Sequence, residues 1–189
     1  MRLIKYLAVG LCSLGFVYLV LNSFSFTASL ADNQRLPDLD PIERFSLFDQ
    51  NQNKFTEKNL DGSIWVVSFM FTCCKGPCPL LTRNLVKIQK KLLNFDKISF
   101  LTFSMQPKKD DPSRLRSYVE KHHPDFKRWF FLTGDQKHII DVSQKQFRVP
   151  ASMQSDAHST RFLILNSERK IVSYYDGTDP KSIDRIVFD

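Results

Sequence analysis

The stretch that most limits how this chain can fold is Ile64-Trp-Val-Val-Ser-Phe-Met-Phe71, followed at once by Thr72-Cys-Cys-Lys-Gly-Pro-Cys-Pro79. The first part is almost continuously apolar and rich in β-branched residues, which marks a strand buried on both faces. Leu80, Leu81, Leu85, Ile88, Leu92 and Leu93 then recur at helical spacing. The sequence therefore predicts strand, cysteine-bearing turn and helix in direct succession. The pattern continues downstream. Ile98–Phe103 reads as a strand, and Asp111-Pro112-Ser113 opens a helix running to about His122. Trp129–Leu132 reads as a third strand, after which Asp135 caps a helix through about Phe147. Arg161–Asn166 and Ile171–Tyr175 pair as a hairpin, and Asp179-Pro180 opens a short last helix. Upstream, Phe45–Phe48 and Lys54–Thr56 flank the turn Asp49–Asn53 as a small hairpin. This alternation predicts an α/β fold, a central mixed sheet with helices on both faces. No repeat or low-complexity tract interrupts it.

Arg2 and Lys5 are the last charges before Asp32, so residues 6–31 are uncharged. That run exceeds the roughly 20 residues needed to cross a bilayer. With positive charge before it and none directly after, the expectation is an N-terminal anchor with the amino terminus in the cytoplasm and the domain outside. A cleaved signal peptide ending near Ser29-Leu30-Ala31 is the competing reading. A lipoprotein site at Cys12 is poor, because Leu11 is bulky where a small residue is required. The expected organisation is thus residues 1–31 as anchor or signal segment, 32–41 as a polar, proline-containing linker, and 42–189 as one folded domain. With 42% apolar residues and 17 Phe, the chain has material for a sizeable core and no need of disulfide stapling. The net charge of +7 includes Arg2 and Lys5, and the rest is spread out, so it gives no argument for nucleic acid.

The chemistry is concentrated in Cys73-Cys74-Lys-Gly-Pro-Cys78-Pro79. A strand-turn-helix puts Cys74 and Cys78 around the first helical turn, four residues apart with both sulfurs on one side. The helix N-terminus and Lys75 should favour thiolate over thiol, and thiolates serve both copper binding and disulfide exchange. Thioredoxin-type dithiols have two intervening residues and this pair has three. Structural zinc asks for four ligands, and there is no second cysteine pair. Two soft thiolates plus one imidazole instead suit copper, as Cu(I) or as Cu(II). The ordinary alternative is an accidentally spaced buried pair.

Four His can supply the imidazole. His122 and His123 stand at a helix end and His138 on a polar helix face, where solvated or satisfied rings are the rule. His158 lies in Asp156-Ala-His158-Ser-Thr, running straight into the strand Arg161–Leu165. In a thioredoxin-like sheet the loop entering that strand faces the cysteine helix, which singles out His158.

These segments resemble the Sco/SenC family of membrane-anchored copper proteins, which have a thioredoxin-like fold and assist assembly of the CuA centre of cytochrome c oxidase. The likeness spans nearly the whole chain. It includes the anchor, Phe-Thr before Cys74-x3-Cys78-Pro79, and Gln106-Pro-Lys-Lys-Asp110-Asp-Pro112, similar to the family's Asp-Pro-x-x-Asp-x-Pro. Trp129-Phe-Phe-Leu-Thr-Gly134 and Asp156-x-His158-Ser complete it. The resemblance implies Cys74, Cys78 and His158 as copper ligands. The chain departs from the family pattern at Cys73, where the family usually carries His, at Lys75-Gly76, where it carries Pro-Asp, and at Gln106, where it carries Asp. Cys73 is open to two readings: an alternative thiol that pairs with Cys74 or Cys78, or an inert small residue. Losing the carboxylate at Gln106 removes a group that would act on the metal from outside the ligand set.

The expected function is a copper-binding assembly factor that delivers copper to, or prepares, the CuA site of cytochrome c oxidase or another exported cuproprotein. The alternative, from the enzyme class, is a membrane-anchored thiol–disulfide reductase in which Cys74 and Cys78 are the catalytic pair. His158 discriminates between them, since exchange does not need it. A peroxidase would need a Thr/Arg pocket around one cysteine, which the sequence does not locate, and a purely structural adaptor would use as a docking face the Phe and Tyr that, at core spacing, read as core. Lys108, Lys109 and Arg114 are placed to steer an acidic client.

Overall fold

A computed structural model describes residues 39–122, 128–151 and 159–188. The expected anchor, residues 1–31, and most of the linker lie outside this set. Among the described residues no helix is long and apolar enough to cross a membrane. The elements are β1 (Ser46–Phe48), β2 (Lys54–Thr56), β3 (Ile64–Met70), α1 (Cys78–Lys91), β4 (Ile98–Ser104), α2 (Pro112–His122), β5 (Trp129–Leu132), α3 (Gln136–Asp141), β6 (Arg161–Leu165), β7 (Ile171–Asp176) and α4 (Pro180–Phe188). β1 and β2 form a separate antiparallel hairpin. The main sheet has the order β5-β4-β3-β6-β7. β3 is parallel to β4 with Val66 opposite Phe100, and β4 is parallel to β5 with Phe100 opposite Trp129. β6 runs antiparallel to both β3 and β7.

Parallel neighbours need a crossover, and successive right-handed crossovers stepping in one direction leave their helices on one face. α1 and α2 are those crossovers. Their apolar stripes, Leu81, Leu85 and Ile88 on α1 and Leu115 and Val119 on α2, join one cluster with Val66, Met70, Phe100, Trp129 and Phe131 of the sheet. Ile183 and Ile186 bring α4 onto the same cluster. The alternate residues of β3 and β4 point the other way. There Phe69 stacks on Phe103 at 5.0 Å, and Phe45 and Phe147 meet Phe103 at 5.9 and 5.2 Å. Phe45 leads into the β1–β2 hairpin and Phe147 follows α3, so these two units cover the second face. Six of the seven β3 residues are buried, as its near-continuous apolar run requires.

One helix differs from expectation. The segment capped by Asp135 is α-helical only through Asp141 and widens to a π turn over Val142–Gln146. The buried Ser143 hydroxyl donates to the Val149 carbonyl, and Arg148 adopts a left-handed φ of 55°. These local bonds replace a last regular turn and leave Phe147 buried between Phe69 and Phe103.

Candidate metal centre

The cysteine loop sits at the carboxyl end of β3, the end of a parallel sheet where α/β proteins place their sites. The chain leaves β3 at Met70 and turns through Thr72–Pro77. α1 starts at Cys78 with Pro77 as N-cap and Pro79 inside the first turn, where a missing N–H costs little. Cys74 is therefore not on the helix, as the spacing had suggested, but in the turn before it. The loop, not the i, i+4 helical ladder, brings the sulfurs together. Cys74 Sγ accepts from Gly76 N–H at 3.4 Å and is half-buried. Cys78 is 1% exposed and packs into the cluster that holds Leu81, Leu85 and Tyr175.

Burial changes the expected electrostatics. The Cys78 thiol is pushed up to about 12, first by its removal from water, then by a hydrogen bond with the Cys74 sulfur; a Phe71 backbone hydrogen bond opposes this only partly. The expectation that the helix N-terminus would favour a thiolate here is thus corrected. A helix terminus is worth about 0.3–1 kcal/mol at a surface, less than one decade of acidity, too little to offset the loss of hydration. Metal-free Cys78 is a protonated floor to the site and Cys74 its reachable sulfur. Cys74 and Cys78 would hold a thiophilic cation only after the Cys78 proton left, so its binding would release protons.

A buried carboxylate holds the loop, and sequence reasoning did not find that role. Asp110, 0% exposed, accepts from Thr72 N–H at 3.0 Å, Thr72 Oγ1 at 2.5 Å and Ser104 Oγ at 2.7 Å. The Thr133 hydroxyl donates to its carbonyl, and Arg114 Nε lies 3.8 Å from its carboxylate. The only signal was a threonine directly before the cysteines and an Asp in the Gln106–Pro112 segment. Beside it, Cys73 Sγ donates to Gln106 Oε1 at 3.3 Å. Two of the departures noted above are therefore neighbours in space.

His158 lies outside the described residues, as does His123. The described chain resumes at Ser159. Thr160 lies against α1 through a short relay: its carbonyl accepts from Gly177 N–H at 2.8 Å, and the Gly177 carbonyl accepts from Asn84 Nδ2 at 2.7 Å. A Cβ on Gly177 would fall 2.7 Å from Leu81 Cδ2, Phe162 Cζ and the Thr160 carbonyl, so only glycine allows this close approach. The other rings have different work. His138 Nε2 accepts from Ser46 N–H at 3.3 Å, and exposed His122 packs on Tyr118 with centroids 4.6 Å apart. Among the described residues no group of three or more His, Cys, Asp or Glu is arranged to hold a metal.

The family model described as SCO1/SenC matches residues 34–187. The fold is similar to the SCO1/SenC family lipoprotein of Bacillus anthracis, at 29% identity and a TM-score of 0.75, covering 83% of this chain and 95% of that one. It is similar to BsSco, in which a disulfide switch was identified and which belongs to the Sco family of cytochrome c oxidase assembly proteins; identity is 27%, the TM-score 0.72, and coverage 83% and 95%. Yeast Sco1 with copper bound aligns at 27% identity and a TM-score of 0.65 over 80% of this chain and 88% of that one. The mixed sheet with helices on both faces is thus an α/β thioredoxin-like fold. With the family match covering all but the first 33 and last two residues, this chain belongs to the SCO1/SenC family.

Proposed function

We propose that this protein binds copper between Cys74 and Cys78 and hands it to the CuA site of cytochrome c oxidase or to another exported cuproprotein. The observation that carries this reading is the contact between the two sulfurs, one reachable and one at the floor of the site, on a loop pinned by Asp110. Two thiolates suit Cu(I), and an imidazole added to them suits Cu(II). His158 is the donor proposed to complete the set, supported by the adjoining Thr160 lying against the cysteine helix through Gly177 and Asn84. The copper-bound yeast relative supports the choice of metal. A site with few protein ligands allows release by stepwise ligand exchange, each new sulfur or nitrogen of the acceptor replacing one held here. The apolar segment 6–31 is proposed to anchor the chain with residues 42–189 outside the cytoplasmic membrane.

Copper titration of the full-length chain in detergent tests the reading. The expected result is one Cu(I) per chain, lost in Cys74→Ser plus Cys78→Ser, and a Cu(II) thiolate absorption band that shifts or disappears in His158→Ala. Stoichiometric copper retained by the double variant would overturn it. The dithiol-reductase alternative uses the same sulfurs and predicts that His158→Ala leaves cellular function intact.

A further inference from the structure

Among the described residues, three ion pairs join residues outside the cysteine loop: Lys91 with Asp184, Lys145 with Asp141, Arg169 with Asp61. The loop itself is rimmed by cations that are not so answered. Lys75 is exposed and follows Cys74 directly. Lys108 and Lys109 are exposed on the turn in which Lys109 N–H and Asp110 N–H both donate to the Gln106 carbonyl at 2.9 Å. That turn is fastened to the cysteine loop on both sides, by Cys73 Sγ on Gln106 and by Thr72 on Asp110. Arg114 adds a fourth charge, donating Nε to Thr72 Oγ1 at 2.8 Å, although buried Asp110 answers part of it. Among the described residues Lys75, Lys108 and Lys109 make no ion pair. Among the described residues, the exposed carboxylate on this rim, Asp111, is occupied in capping Arg114 N–H. Asp176 and Asp179 stand across α1 and are engaged by Thr178, Lys181 and Ser182.

We propose that Lys75, Lys108 and Lys109 form the docking face for a protein acceptor whose metal-receiving site is ringed by carboxylates. The proposal rests on the copper-transfer reading and names the surface chemistry of the recipient. Exposed cations around a half-buried sulfur raise the local concentration of an acidic partner and orient it over Cys74, while a basic partner is repelled. A protein fits better than a bilayer surface because the chain enters at the opposite end. Ile42 N–H donates to the Arg169 carbonyl in the β6–β7 turn, and Gly62 N–H to Ser167 beside it, before β3 carries the backbone away toward Cys74. Ile42 thus lies at the end of the sheet opposite the cationic rim.

The test uses the full chain in neutral detergent and two synthetic dicysteine peptides, one flanked by glutamates and one by glutamines. Copper transfer from the loaded chain is expected to be about tenfold faster to the glutamate peptide at low ionic strength. That preference should shrink as salt rises from about 10 to 100 mM and the screening length falls. Lys75→Gln/Lys108→Gln/Lys109→Gln should abolish it and the matching Glu variant invert it. A second readout needs no copper: fluorescence anisotropy of the glutamate peptide with its cysteines changed to serine, titrated with the copper-free chain. A chain that takes no copper but binds this peptide through the three lysines refutes the transfer reading alone. An unchanged peptide preference in both variants overturns the docking face, and so does loss of binding to phosphatidylglycerol vesicles with peptide preference intact, which would assign the face to lipid.

Discussion

Cys74 and Cys78 differ by their access to water, and that difference has kinetic consequences. Alkylation requires thiolate and reach; Cys74 is half-buried, whereas Cys78 is sealed and its acidity suppressed to about 12. Limited iodoacetamide labelling of the reduced, metal-free chain at pH 8, read by peptide mass spectrometry, should mark Cys74 at least about tenfold faster than Cys78. The Cys78 rate should climb with pH throughout the accessible alkaline range, because its thiol remains protonated until pH nears about 12. The same shift has a sign for stability: a thiol harder to ionise when folded than when unfolded stabilises below pH about 9 and loses that contribution as pH rises toward 12. Equal labelling rates would refute the picture of a floor and a mouth. The two cysteines were legible in the sequence as a chemical pair, but their unequal acidity was not, since neighbours in sequence report a helix terminus and a lysine while burial is a property of the packed chain. Cys73 and Gln106 teach the same lesson. Separated by 33 positions, they look like two independent departures and are hydrogen-bonded to each other.

At the scale of elements, the site is assembled from loops tied to α1 and the end of β3. The Asp110 carboxylate ties the start of the cysteine loop to the β4–α2 connection, and the Thr160–Gly177–Asn84 relay ties the entry to β6 onto the cysteine helix. Gly177 packs closely against Leu81 of α1, Phe162 of β6 and the Thr160 carbonyl. Gly177→Ala should lower stability by about 1–3 kcal/mol in urea denaturation, since overpacking against backbone and two buried side chains cannot be relieved by one rotamer change. It should also weaken Cu(II) binding more than Cu(I) binding if the displaced β6 entry carries the imidazole; an alanine variant as stable as the parent would show that the approach has slack. The strand-turn-helix order itself was readable, because periodicity and β-branched content follow directly from which faces are buried. The end of α3 was not, since the π turn answers to the buried Ser143 hydroxyl and to Phe147 packing between two strands.

For the whole molecule, the sheet separates two tasks. Its helix-covered face continues into the cysteine site through Cys78, whereas its other face is an aromatic layer in which Phe103 touches Phe45, Phe69 and Phe147. Phe103→Ala should therefore cost about 3–5 kcal/mol in denaturant unfolding and leave the copper stoichiometry and spectrum of the folded protein unchanged. Altered copper spectra would mean that the two faces are coupled through β3. The sequence alone determined the alternation of strands and helices, the two-faced burial of β3 and the placing of two thiols between it and a helix, because each depends on residues close along the chain. Tertiary structure alone decided which sulfur is buried, what Asp110 holds, that Cys73 meets Gln106 and that three exposed lysines, without an ion pair among the described residues, stand beside the loop. Those facts arise from contacts across many positions, where hydration is lost and hydrogen bonds must be satisfied by whatever the fold brings near.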